Sequence, residues 1–265
     1  AVWLVLGIGL LRNRSISDVC DKLELAFPDA KGELPPLATS SIIKGKEKLG
    51  VEPMRYLFKL TASQWEKSQA FDEVCGLKLL SVDGTKFKTQ DTESNQHFGY
   101  AQRAANFPSV LVVTLMSTRT HLISDAAFGP ITNSEIHYAQ QLVGSAPENS
   151  LTLFDRGFMS AELFTCWQGV GSNSHWLTPI KSKMRYEIVE SYSEYDHLID
   201  MPVSPQAKQA APFLGNTWQA RLIFIPNPKG EIKGFITSCL CPERYPLKDL
   251  LDVYWQRWEI EQGYG

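Results

Sequence analysis

At Leu77 the spacing of apolar residues changes, and that change constrains the fold more than any other feature. Upstream, apolar residues recur at helical spacing. Downstream come short apolar runs closed by turn residues: "LKLLSVDG", "SVLVVTLMST", "HLISDAAFG" and "SLTLFDRG". Such runs read as strands. Between the last two lies a helix, "NSEIHYAQQLVG", with Ser134 as its cap and Gly144 as its stop; a second helix, "SAELFTCWQGVG", follows Gly157. Strands, helix, strand, helix predicts a mixed α/β sheet. From about 175 to 240, "HWLTPIK", "MRYEIVESY", "WQARLIFI" and "IKGFITSCL" read as β hairpins, joined by the loop "MPVSPQAKQAAPFLGN". The helical pattern returns at "PLKDLLDVYWQRWEIEQ".

The expected organisation is a helical domain over 1–76 and an α/β domain over 77–265, with the β-rich insertion at about 175–240. In the first domain "AVWLVLGIGLL" is too short to cross a bilayer and reads as a buried helix. "SISDVCDKLELAF" has Ser15 or Ser17 as cap and Ile16, Val19, Leu23 and Phe27 on one face. Ser40 or Ser41 opens a helix ending at Gly50, and Pro53 occupies the first turn of the next. Lys44, Lys46 and Lys48 read as a solvated face. With no initiating Met, and a helical pattern running unbroken into residue 265, both ends are expected to be cut.

A net charge of −3 gives no general attraction to nucleic acid, so any DNA contact must rest on local patches. Lys181, Lys183 and Arg185 in "PIKSKMRY" form one, with a solvated strand end as the equal alternative. Five cysteines make no disulfide framework and fit a reducing, cytoplasmic setting. Cys239 and Cys241 are expected in buried strand positions, and Trp176 and Trp218 in the core.

Asp83 and Asp155 each end an apolar run and are followed within two residues by glycine. Strand carboxyl ends of open α/β sheets are where ligands gather, although a single Asp there is more often a turn residue. On a helical wheel of about 100° per residue, Tyr254, Arg257 and Glu261 share a sector with Leu247, Leu250, Leu251 and Trp258. Lys248, Asp249, Asp252, Gln256 and Glu259 fill the opposite face. A surface i,i+4 pair of Arg257 with Glu261 belongs on that polar side instead. A carboxylate on the inward face needs a cation, a metal or a strong donor beside it. Arg257 is one such partner; a metal shared with both aspartates is another. Asp, Asp and Glu without His or Cys suits a hard cation such as Mg²⁺.

With these residues in view, the chain resembles the IS4 family of bacterial insertion-sequence transposases. "LLRNRSISDVCDKLELAFP" and "SIIKGKEKLGVEPMRYLF" are similar to its N-terminal region, and "VDGTKFKTQDTESNQHFG" to its first catalytic-aspartate block. "TLFDRGFMSAELF" carries the D-R-G-[FY] signature of the second, and "YWQRWEIEQGYG" the Tyr, Arg and Glu of the third. The family's Lys would fall after residue 265. The resemblance implies an RNase H-like fold in which Asp83, Asp155 and Glu261 bind two Mg²⁺ ions, with Mn²⁺ able to substitute. It implies cleavage at the element's ends, then attack of the freed 3′-OH on target DNA. Tyr254 and Arg257 would contact phosphates. The implied partners are double-stranded DNA, as terminal inverted repeats and target, and a second copy of the chain; the implied setting is the bacterial nucleoid, without membrane. Two other readings stand beside it: a truncated, non-catalytic end-binding protein that inhibits the complete enzyme, and a hydrolase using paired carboxylates without metal.

Overall fold

The computed structural model describes residues 1–25, 32, 38–68, 73–102, 105–226 and 232–254. It divides into two compact units, Ala1–Gln64 and Trp65–Gly265.

The first unit is helical. Helix α1 (Val2–Leu10) packs on α2 (Ile16–Lys22), and α3 (Thr39–Leu49) and α4 (Glu52–Ser68) follow. The α2 cap is Ser15, whose hydroxyl accepts the Asp18 N–H at 3.1 Å. Leu4, Val19, Cys20 and Ile42 form its small core. Gly7 permits the approach of α1 to α2, because a Cβ there would overlap Val19 and Leu23. The opening apolar run is helical as expected, but only Leu4 and Gly7 of α1 are buried, and Trp3 stays 69% exposed. Ile16 is likewise exposed, while Val19 is buried; Phe27, expected on the same face, lies outside the described residues. Lys44, Lys46 and Lys48 are all exposed.

The second unit is built on one ten-stranded sheet, ordered β4-β3-β2-β5-β6-β10-β9-β8-β7, with β1 (Glu73–Val74) paired to β2. Strands β2 (Leu77–Lys88), β3 (Ser109–Ser117) and β4 (Ile123–Pro130) form an antiparallel meander. Helix α5 (Glu135–Leu142) leads to β5 (Ser150–Phe154), parallel to β2, and α6 (Ala161–Gln168) leads to β6 (Ser174–Pro179), parallel to β5. Ser134 caps α5 as predicted, accepting the His137 N–H at 3.2 Å. Three antiparallel strands followed by two parallel ones with crossover helices is the RNase H-like arrangement.

The insertion continues this sheet. Strand β10 (Ile232–Thr237) pairs with β6, and β9 (Thr217–Pro226), β8 (Asp196–Pro202) and β7 (Glu187–Ser193) extend it antiparallel. The expected loop at 201–216 instead begins within β8 and contains a short helix, α7 (Pro205–Ala210), capped by Ser204. Cys239 is buried, but it and the exposed Cys241 lie past the end of β10, which corrects their strand assignment. Trp176 is sealed in the core, stacked on Phe164 at 4.4 Å and 11°. Trp218 is only partly buried and borders an open groove of about 660 Å³ with Met159, Met184, Arg185 and Met201.

The two sheet faces carry separate cores. One side of the sheet (Leu80, Val82, Phe154, Trp176, Leu222) packs with α5 and α6. The other (Leu77, Leu79, Leu151, Leu153, Leu177, Ile223, Phe235) is covered by α8, described over Leu247–Tyr254. Leu250, Val253 and Tyr254 of α8 are buried while Lys248, Asp249 and Asp252 are exposed, as the wheel requires.

Candidate active site

Strands β2 and β5 are paired in register from Lys78 with Ser150 to Val82 with Phe154. Asp83 and Asp155 are the next residues, side by side where the parallel ladder stops: Asp155 lies just past the carboxyl end of β5, whereas Asp83, expected at a strand end, lies inside β2, which continues to Lys88 in its pairing with β3. Side chains alternate faces along a strand. Leu79 and Leu153 face α8, so Asp83 and Asp155, which keeps extended backbone angles (φ −73°, ψ 158°), are directed to that face too. Asp83 is partly buried in the β2–β3 ladder and accepts the Gly84 N–H at 2.9 Å. Asp155 is exposed; its carboxylate accepts the Arg156 N–H, and its carbonyl accepts Thr178 Oγ1 at 3.2 Å.

Helix α8 travels toward these aspartates. Near its start, Asp249 lies 3.7 Å from Cys75 Sγ, just ahead of β2, and Tyr245 contacts His175 at the beginning of β6. At Tyr254 the ring packs on Phe235 with 4.6 Å between centroids, and Phe235 pairs with Pro179 at the far end of β6. The helix thus climbs from the amino to the carboxyl ends of the central strands. Tyr254 is 8% exposed, its ring part of the core on this face. Arg257 and Glu261 lie outside the described residues.

A third carboxylate, unforeseen in the sequence, approaches the same strand ends from the opposite face. Glu135, the first residue of α5, lies over Gly84, where a Cβ would come within 2.6 Å of Oε1, and its Oε2 is 3.9 Å from the corresponding point at Gly157. Burial raises its pKa, Asp83 and Asp155 raise it further, and Lys86 opposes the shift. An acidic residue opening a helix reads in sequence as a partner of the helix dipole; the glycine after Asp83 is the signal for the space it occupies.

The described donor set suits a hard cation in its chemistry: carboxylates, with no His or Cys among them. The space over Gly84 is filled by the Glu135 carboxylate, which brings a further oxygen donor near Asp83 from the opposite face. Among the described residues no group of three His, Cys, Asp or Glu is placed to hold a metal ion. Asp83 and Asp155 are two of the three expected ligands.

Lys181, Lys183 and Arg185 follow β6, whose carboxyl end adjoins Asp155 through Thr178, and all three are exposed. They therefore share the aspartates' end of the sheet. No helix among the described residues is long and apolar enough to cross a membrane.

An RNase H-like sheet with aspartates on its two central parallel strands defines the class of protein, and comparison with known proteins defines the family. Residues 75–265 match the transposase DDE domain, and residues 1–59 the insertion element 4 transposase N-terminal domain. The chain belongs to the IS4 family of DDE transposases. It is 35% identical over 267 residues to "Transposase InsG for insertion sequence element IS4" of Escherichia coli (strain K12), covering 99% of this chain and 60% of that protein. It is 30% identical over 195 residues to "Putative transposase InsZ" of the same strain, covering 71% and 63%. The chain therefore spans about three-fifths of the length of these relatives. A piggyBac transposase in a synaptic complex with hairpin DNA is similar at a TM-score of 0.45 and 8% identity, over 98% of this chain and 56% of that one.

Proposed function

We propose that this sequence directs divalent-metal-dependent cleavage of DNA at insertion-sequence ends and transfer of the freed 3′-OH strand into target DNA. Asp83, Asp155 and Glu261 are the proposed ligands of two Mg²⁺ ions, for which Mn²⁺ would substitute. The observation that carries the reading is the adjacency of Asp83 and Asp155 on the sheet face along which α8 climbs. Glu261 follows Tyr254 by seven residues in the sequence. When bound, the ions would supply an activated water and charge neutralisation at the scissile phosphate.

The chain's own groups would do the rest. Asp83 and Asp155, fixed by a paired ladder and by the Thr178 bond, present acceptors that need little reorganisation. Tyr254 and Arg257 are proposed as phosphate donors near the terminal nucleotide, the guanidinium fork matching phosphate geometry. Lys181, Lys183 and Arg185 are proposed to hold the DNA backbone beside the site, contacts that position without reading sequence. The acting form is proposed to be a homodimer on paired ends. Nicking of a terminal-repeat duplex by a full-length protein containing this sequence tests the reading: Mg²⁺-dependent product is expected, and none from Asp155→Ala. Undiminished cleavage by that variant would refute it.

A further inference from the structure

The segment from Ser238 to Pro246 joins β10 to α8, and two polar networks, one buried and one partly buried, hold it. Arg221 on β9 is 0% exposed. Its Nε and Nη2 donate to both oxygens of Asp196 on β8, at 2.7 and 2.5 Å. Its Nη1 donates to the carbonyls of Cys239 at 3.3 Å and Tyr245 at 2.6 Å. The second network holds the other end of Tyr245. Its hydroxyl donates to Asn173 Oδ1 at 2.9 Å and lies 3.1 Å from His175 Nε2. His175 Nδ1 in turn lies 3.1 Å from Ser238 Oγ. Tyr245 is thus fixed at backbone and hydroxyl, and the first turn of α8 bonds directly to the next residue, Leu250 N–H to Pro246 carbonyl at 3.2 Å.

We propose that Arg221 is a positioning residue for the metal site: by pinning Tyr245 it sets the origin and axis of α8, the helix that climbs the face carrying Asp83 and Asp155 and from which the sequence runs on to Glu261. The role of Glu261 rests on the function proposed above; the clamp itself does not. A slip of one helical residue rotates a side chain by about 100° and moves it about 1.5 Å, whereas a catalytic constellation tolerates about 0.5 Å. Stability alone does not call for the arrangement, since buried ion pairs are commonly replaceable by apolar groups at little cost. The bonds to the Cys239 and Tyr245 carbonyls are what an apolar substitute lacks. They also tie the insertion strands, through Asp196, to the helix on the neighbouring part of the sheet.

The test uses Arg221→Lys, and the double variant Arg221→Met with Asp196→Leu should the first fail to fold. Mn²⁺ binding to the 265-residue chain is titrated by calorimetry, and hydrogen exchange is followed at the α8 amides Leu250–Tyr254. Asp155→Ala serves as the control that abolishes binding. The expected result is a cooperatively folded variant binding Mn²⁺ at least tenfold more weakly, with α8 amides exchanging at least tenfold faster and those of β2 and β5 unchanged. Mn²⁺ affinity within twofold of the parent chain would overturn the proposal. If the parent chain binds no Mn²⁺, the metal reading fails separately, and unchanged α8 exchange in the variant would then overturn the clamp as well.

Discussion

Asp83 and Asp155 occupy equivalent positions on neighbouring parallel strands, each one residue past the Val82–Phe154 pair that closes the ladder. Their shared face and shared end make them a unit, and losing either should have the same consequence. In a full-length protein, Asp83→Ala and Asp155→Ala should each lower DNA nicking by roughly 10³-fold or more, about 4 kcal/mol of barrier. Asp155 is exposed and lies past the end of β5, so thermal unfolding of its variant should match the parent protein. Gel quantification of nicked product, paired with a melting curve, checks both halves.

Glu135 tests the electrostatics of this site independently of turnover. Its raised pKa means that the folded chain prefers the protonated carboxyl, so its ionised form opposes folding above its unfolded pKa. Glu135→Gln should therefore raise the melting temperature at neutral pH without divalent ions. Saturating Mg²⁺ would offset the charges of Asp83 and Asp155, so the difference between parent and variant should shrink. Scanning calorimetry with and without Mg²⁺ measures this directly.

The basic trio beside Asp155 should govern salt dependence. Replacing Lys181, Lys183 and Arg185 with Ala should weaken binding to all duplexes alike. It should also flatten the plot of log affinity against log salt, by about 0.9 for each phosphate that the trio neutralises. Fluorescence anisotropy across a salt series reads that slope.

His175 supplies a pH-dependent contribution to stability. Burial lowers its pKa to about 4, with a smaller lowering from Arg244 and an opposing hydrogen bond to Ser238. The unfolded chain takes up the proton near the ordinary value of about 6.5, before the folded chain does. Stability is therefore fully present above that pH and is lost as pH falls toward 4. His175→Gln should flatten the dependence of melting temperature on pH across this window.

Part of this architecture is legible in the sequence. "LTLFDRG" announces a strand end, but "LLSVDG" does not: the antiparallel partner β3 carries β2 on past Asp83 and Gly84 to Lys88, a long-range pairing that the local Asp-Gly signal hides. Ser134 as a cap and the buried face of α8 follow from local periodicity. Strand β8 escapes such a reading because "DHLIDMP" lacks clean alternation; its Asp196 is buried, against the usual pattern, to meet Arg221. That the insertion extends the main sheet depends on β6 pairing with β10, more than fifty residues away in the chain, which no local pattern encodes. Arg221 inside the apolar run "WQARLIFI" is the one visible sign of a buried cation.

The most direct measurement is anomalous diffraction from crystals of the chain grown with Mn²⁺. The account predicts anomalous density for the bound ions at the carboxylates of Asp83, Asp155 and Glu261. Ordered side chains at all three positions with no such density at saturating Mn²⁺, or with Glu261 directed into solvent, would contradict it.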